Sequence, residues 1–383
     1  MNSFERVITT LEHRAPDCIP LDLGSSLVTG ITRQAYLSLC AALSEDPGRV
    51  QLYDVVQQLP VVKESILQRL GVDIRGVVPN VVRKNPELKR DGDGFVFSDE
   101  FGVTFRKPDD ATYFSIIDTK LAGAEKTVED IEDFEWPDPQ ALRLFEGIVE
   151  QARNYCEGGY PVLLDSFGAG IFEMSCRVRG VEQFYMDLAL NAELACALMD
   201  KFVEMKIRFY EAAAELLGKY VQFIRESDDL AGQEALLVSP RMYRELIKPR
   251  HKKLFDAQKQ LFPKPFYCFL HSDGALMEIL PDLIDCGVEI LNPVQLSAAG
   301  VDATVLKADF GERLSFWGGG VDTQHTLPHA TPDQVRQAVT ESIEKLCPGG
   351  GYIFGAVHNI QDDVPAENIL AMLDAFYARR EYR

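Results

Sequence analysis

Residues 266–292 read FYCFLHSDGALMEILPDLIDCGVEILN, and their pattern changes twice. The apolar run 266–271 is short, rich in aromatics and bounded by Lys264-Pro265 before it and His271-Ser272-Asp273-Gly274 after it. This is the signature of a strand buried on both faces. Residues 275–286 then place apolar side chains at helical spacing, and Gly287 supplies the stop. A second apolar run, 288–292, follows at once. Strand, helix and strand with so short a return predict a parallel βαβ unit.

The same rhythm extends in both directions. Strands are predicted at 19–23, 74–78, 162–167 and 221–226 before this unit, and at 314–318 and 352–357 after it. Ser239 and Pro240 open a helix over 240–261 that Pro249 should kink or split. Thr331 caps another helix, and Pro365 opens one over about 366–379. Eight strands alternating with helices predict an α/β fold, a closed (β/α)8 TIM barrel, in a single domain over residues 1–383. An open doubly wound sheet is the rival, but no GxGxxG follows a strand and no GxxxxGK[ST] occurs. Residues 31–70 read as a helical insertion and 89–107 (KRDGDGFVFSDEFGVTFRK) as a β-hairpin insertion, both placed to cover the barrel mouth. The acidic stretch 128–139 reads as a solvated helix start and turn.

Composition narrows the function classes. Hydrophobic residues make up 46% and charged residues 26% of the 383, an ordinary globular mix. With 39 basic and 59 acidic residues the net charge is −20, which disfavours nucleic acid and anionic membranes as partners. No export signal and no apolar run of transmembrane length is evident, and the eight cysteines form no CxxC pair. These features predict a cytoplasmic protein with reduced thiols.

In a barrel the chemistry lies at the carboxyl ends of the strands. Asp22, Asp165, Glu226, Asp228, Asp229, His271, Asp273, Asn292, Gln295, Asp322, His358, Asn359 and Gln361 all fall at or just past such ends. His271 and Asp273 are two apart in an extended segment and point to the same side. His358 follows the last strand, so the three can converge as ligands for zinc or another divalent metal. The competing reading is a histidine pair that orients substrate without a metal. Of the adjacent Asp228 and Asp229 only one can face the barrel interior, as a fourth ligand or a general base. Asp22 sits between apolar residues, where a carboxylate is costly unless it has a task. Gln295, Asp322, Asn359 and Gln361 are candidates for substrate binding. Cys268 and Cys176 read as buried apolar residues rather than nucleophiles.

The segments FERVITTLEHRAPDCIPLDLG, DDLAGQEALLVSPRMYRELIKPRHKKL, FLHSDGAL, GVEILNPVQ, FWGGGVDTQHTLP and GGGYIFGAVHNIQDDVPAENILAM resemble the uroporphyrinogen decarboxylase superfamily, in family order and over nearly the whole chain. The resemblance independently implies a (β/α)8 barrel. It offers two chemistries. Decarboxylases of the family carry an arginine-rich MRQAGR-type segment on the first strand, whereas this chain has LDLGSS there, with Asp22 and no arginine. The other branch moves methyl groups to or from a corrinoid held by a partner protein. Its coenzyme M methyltransferases bind zinc through His-x-Cys and a late Cys. Here the matching positions are His271, Asp273 and His358. The resemblance therefore implies a metal-dependent methyltransferase acting on an ether, amine or thiol with a corrinoid protein; a homodimer is a further expectation. A metal-free decarboxylase or lyase of a small carboxylic acid and a non-catalytic small-ligand barrel are the alternatives.

Overall fold

The computed structural model describes residues 1–382. Seven parallel strands lie side by side in chain order: β1 (Arg75–Val77), β2 (Val162–Asp165), β3 (Val221–Ser227), β4 (Tyr267–His271), β5 (Ile290–Asn292), β6 (Ser315–Trp317) and β7 (Tyr352–Ile353). Sequential neighbours throughout mean that each return passes over the outside, as in the predicted barrel. The inner face carries one apolar layer, Ile74, Leu163, Phe223, Phe269, Ile290, Trp317 and Ile353, one residue per strand position. Val7 and Leu11 of the N-terminal helix Ser3–Leu11 plug this layer from below. Two residues further up, the inner face turns polar at Asp165, Arg225, His271 and Asn292, as the period of two requires.

The eighth predicted strand, 19–23, forms no regular ladder. Pro20 has no N–H to contribute. The segment still closes the sheet, because Asp22 N–H donates to Phe354 O and Phe354 N–H to Pro20 O, each at 2.9 Å. On its other side Asp73 N–H donates to Leu21 O at 2.8 Å, while Leu21 N–H turns to the Asp73 carboxylate at 3.0 Å. A side chain thus completes the seam where a strand would have used a carbonyl.

The helices follow their sequence signals. Ser239 Oγ accepts from Met242 N–H, and Thr331 with Gln334 forms a reciprocal capping box. Ahead of Pro249 the helix widens into a π turn over Tyr243–Ile247 and resumes as Lys248–Leu261. This accommodates the ring, which would otherwise collide with the carbonyl four residues back. Gly287, at φ 109°, ends the helix Leu280–Cys286. All eight cysteines are free thiols. Among the described residues no helix is long and apolar enough to cross a membrane.

Both insertions are present, with two corrections. Residues 31–70 are not wholly helical: between the helices Arg33–Ala42 and Glu64–Arg69 lies an antiparallel pair, Leu52–Asp54 with Leu59–Pro60. The hairpin is larger than predicted, a four-stranded sheet of Lys89–Asp91, Gly94–Ser98, Val103–Pro108 and Ser115–Thr119. Its fourth strand leaves Ile116 and Ile117 exposed, so it lacks the in–out alternation that marks a strand in sequence.

Closure is tightest at Gly76, where a Cβ would lie 1.8 Å from Ser25 O. Gly76→Ala should therefore force the closing segment off β1 and cost about 3 kcal/mol. Denaturant melting would measure this, and an unchanged midpoint would contradict the closure described here.

Candidate functional site

Above the polar layer lies a cavity of about 310 Å³. Its floor is the strand ends, including Arg225, Asp229, His271 and His358, and its outer wall comes from the insertions, including Tyr53, Gln57 and Phe101. Both insertions thus stand over the mouth, as predicted.

His271, Asp273 and His358 converge at the floor, with one ligand atom from each lying within 4.8 Å of the others. The rings of His271 and His358 are 5.4 Å apart, and His271 Nε2 is 4.0 Å from Asp273 Oδ2. Parallel pairing sets His271 beside Asn292 on β5. Asn292 Nδ2 donates to Trp317 O at 2.9 Å, which turns its Oδ1 toward His271 Nδ1 at 2.7 Å. The imidazole then donates from Nδ1 and turns Nε2 toward Asp273. Burial pushes His358 down to about 4, with Asp273 only partly opposing it, so this ring is neutral at pH 7. Two imidazole lone pairs and a carboxylate within this distance fit a divalent cation of the zinc type.

The adjacent acids divide as alternation demands. Asp229 lines the cavity, 3.9 Å from His271 Nε2, and its Oδ1 accepts Asp273 N–H at 3.1 Å. Burial, with Glu173 and Asp273 nearby, raises it to about 6. Asp228 faces outward. It accepts Phe172 and Glu173 N–H at 3.0 and 2.8 Å and contacts His251 Nε2 at 2.9 Å. Neither oxygen remains for a metal or a substrate proton, so Asp228 is a cap for the helix Ile171–Arg179, not the ligand or base considered above.

The four predicted substrate contacts are likewise scaffold, and none lines the cavity. Gln295 Oε1 accepts Gly274 N–H at 2.7 Å and so holds the loop that carries Asp273. Asp322 accepts His325 and Thr326 N–H at the start of a short helix. Asn359 accepts Gly30 N–H at 2.6 Å and donates to Leu27 O and Gln57 Oε1, tying the closing segment to the insertion. Gln361 donates to Asn359 O. In each case a loop amide or carboxylate found backbone partners first.

Asp22 is buried beside the floor. Its Oδ2 accepts Ser25 Oγ–H at 2.7 Å and Trp317 Nε1–H at 2.9 Å, while Oδ1 has no partner among the described residues. Burial raises it to about 6 against the pull of those hydrogen bonds. Two buried ion pairs went unread in the sequence. Arg225 Nε donates to Asp165 Oδ1 at 2.6 Å, and Lys206 Nζ to Glu226 Oε2 at 2.9 Å and to Ser166 Oγ at 2.8 Å. The first was detectable, since Phe223, Arg225 and Ser227 share the inner face. The second needed the helix Ala192–Leu217 to be placed against β3.

A family profile described as uroporphyrinogen decarboxylase (URO-D) matches residues 95–379. A curated relative named uroporphyrinogen decarboxylase, from Psychromonas ingrahamii, is 22% identical over 263 residues, 65% of this chain and 68% of that protein. Among solved structures, a methyltransferase from Methanosarcina mazei superposes with a TM-score of 0.66 at 18% identity, covering 99% of both chains. That likeness is one of fold.

Two outcomes are expected. Asn292→Ala should weaken divalent-metal affinity about 10- to 100-fold by freeing the His271 ring, read by competition with a chromogenic chelator; unaltered affinity would remove Asn292 from the site. Asp22 holds its proton to higher pH when folded than when unfolded, so stability is lost as the pH rises from about 4 through about 6, on the order of 2–3 kcal/mol in all. Asp22→Asn should raise the melting temperature at about pH 8 and leave it near wild type at about pH 3, below the unfolded carboxyl's range. An equal shift at both pH values would show that Asp22 is not the titrating group.

Proposed function

The chain belongs to the uroporphyrinogen decarboxylase family, and from that premise we propose that it is a metal-dependent methyltransferase moving a methyl group between a small ether, amine or thiol and a corrinoid held by a separate protein. The observation that carries this reading is the convergence of His271, Asp273 and His358 at the cavity floor. A divalent cation held there supplies positive charge beside the atom that loses or gains the methyl group.

The chain's own residues do the rest. Asn292 fixes the His271 tautomer, and Gln295 and Asp229 fix the loop that positions Asp273. Asp229, raised to about 6, stands where it can hand over or receive a proton at the substrate heteroatom. The insertions exclude water from above with Tyr53 and Phe101. The corrinoid protein approaches the open side of the mouth.

Decarboxylation of a small acid is the second reading, favoured by Asp22, a buried carboxyl with one free oxygen. It meets an obstacle for porphyrinogens: every arginine in the cavity wall already faces a carboxylate, and none stands on residues 19–26.

The test is an anaerobic assay with a reduced corrinoid protein, following the corrinoid's visible spectrum as methyl ethers, amines and thiols are added. Methylation is expected only when both proteins are present. Asp273→Ala should lower kcat about 100-fold with little change in KM, since its charge matters most as the leaving atom turns anionic. No transfer in either direction with any donor, together with carbon dioxide release from a small carboxylic acid by the metal-free protein, would replace this reading with the second.

A further inference from the structure

The charge balance of the cavity wall bears on what the cavity can hold. Each of its three arginines is neutralised. Arg83 Nη2 meets Asp54 Oδ2 at 2.9 Å, Arg177 pairs with Glu173, and Arg225 pairs with Asp165 beneath the floor. Asp54 and Asp165 are themselves buried, so neither can swing out and release its partner.

The carboxylates are in excess. Five line the cavity, against three guanidiniums. Asp99 and Glu100, on the turn of the four-stranded sheet, have no ion-pair partner among the described residues. Asp99 Oδ1 accepts Phe101 and Val103 N–H at 2.9 and 3.0 Å, and Glu100 accepts Val82 N–H at 3.2 Å. Burial raises Asp99 to about 6 and Glu100 upward, with Arg83 only partly opposing it at a distance. Asp229 has only His271, at 3.9 Å. A divalent cation at the floor brings its own carboxylate, Asp273, and leaves the wall negative.

Between these acids the wall is apolar and aromatic. Leu27, Val28, Val56 and Val78 line it with Tyr53 and Phe101. The Tyr53 hydroxyl is engaged with Ser26 O at 3.0 Å, which leaves its ring as the surface offered. Aromatic faces beside carboxylates recognise ammonium groups and repel anions.

We infer that the cavity takes a methyl carrier whose body is apolar and bears an ammonium group, accepts an uncharged analogue less well, and rejects carboxylate, phosphate and sulfonate. This rests on the methyl-transfer reading of the same cavity, and it separates the chain from relatives that act on a polyanion. Asp99 and Glu100 are the specificity residues.

Three probes of one shape and different charge test it: para-methoxybenzylamine, para-methoxybenzyl alcohol and para-methoxybenzoate, titrated calorimetrically into zinc-loaded protein near neutral pH. The amine should bind at least about tenfold more tightly than the benzoate, with the alcohol between them. Asp99→Asn with Glu100→Gln should narrow that spread, but the wild-type order decides. Benzoate binding as tightly as the amine, or no binding by any probe below about 10 mM, overturns the inference. Methyl transfer is read separately, so a correct order without turnover would fault the reaction and not the charge preference.

Discussion

Two backbone hydrogen bonds between residues 20–22 and Phe354 turn a curled sheet into a closed barrel. Everything catalytic depends on that seam. Closure brings the last strand, with His358 beyond it, across from β4, with His271 at its end, although the two histidines are 87 residues apart. An open sheet of the same seven strands would leave His358 beyond one edge and His271 on the central strand, three strands away. The seam is also the least regular part of the sheet, because a proline and a side-chain carboxylate stand where a ladder would run. The barrel compensates from outside. Asn359 ties the loop after the seam to the insertion, and the N-terminal helix fills the bottom.

The strand period of two then organises the interior. One step places apolar side chains against Val7 and Leu11, and the next places Asp165, Arg225, His271 and Asn292 below the cavity. A polar layer this deep is tolerated because its members satisfy one another. Asp165 neutralises Arg225, and Asn292 bridges His271 to Trp317. Asp22 is the exception, with one oxygen left bare. A carboxyl that weakens the fold is retained at functional sites more readily than elsewhere.

Much of this was legible in the sequence. Strand–helix alternation fixed seven strand positions and the order of elements, and the i, i+2 pair His271 and Asp273 with the late His358 pointed to the floor. What failed shares one physical cause. Gln295, Asp322, Asn359 and Gln361 sit at strand ends, as binding residues do, but a residue's address does not tell whether its side chain meets solvent or a neighbouring backbone N–H. The irregular seam at Pro20 was hidden for a related reason, since its partner Phe354 is remote in sequence, and the strand Ser115–Thr119 was hidden because its exposed Ile116 and Ile117 do not alternate in and out. Arg225 was legible too, since it shares the inner face of its strand with Phe223 and Ser227 and a guanidinium there requires a buried carboxylate such as Asp165.

The cavity has two owners. Its floor belongs to the barrel, where each side chain is locked into a parallel ladder and a shared polar layer. Its outer wall belongs to excursions of chain around residues 53–57 and 99–101, which hang from the barrel by their ends. Sequence drift in the wall therefore leaves the floor's register untouched, while drift in the floor disturbs every neighbouring strand. A lineage built this way can change what it accepts much faster than it changes what it does, because the wall can diverge while the floor keeps one chemistry.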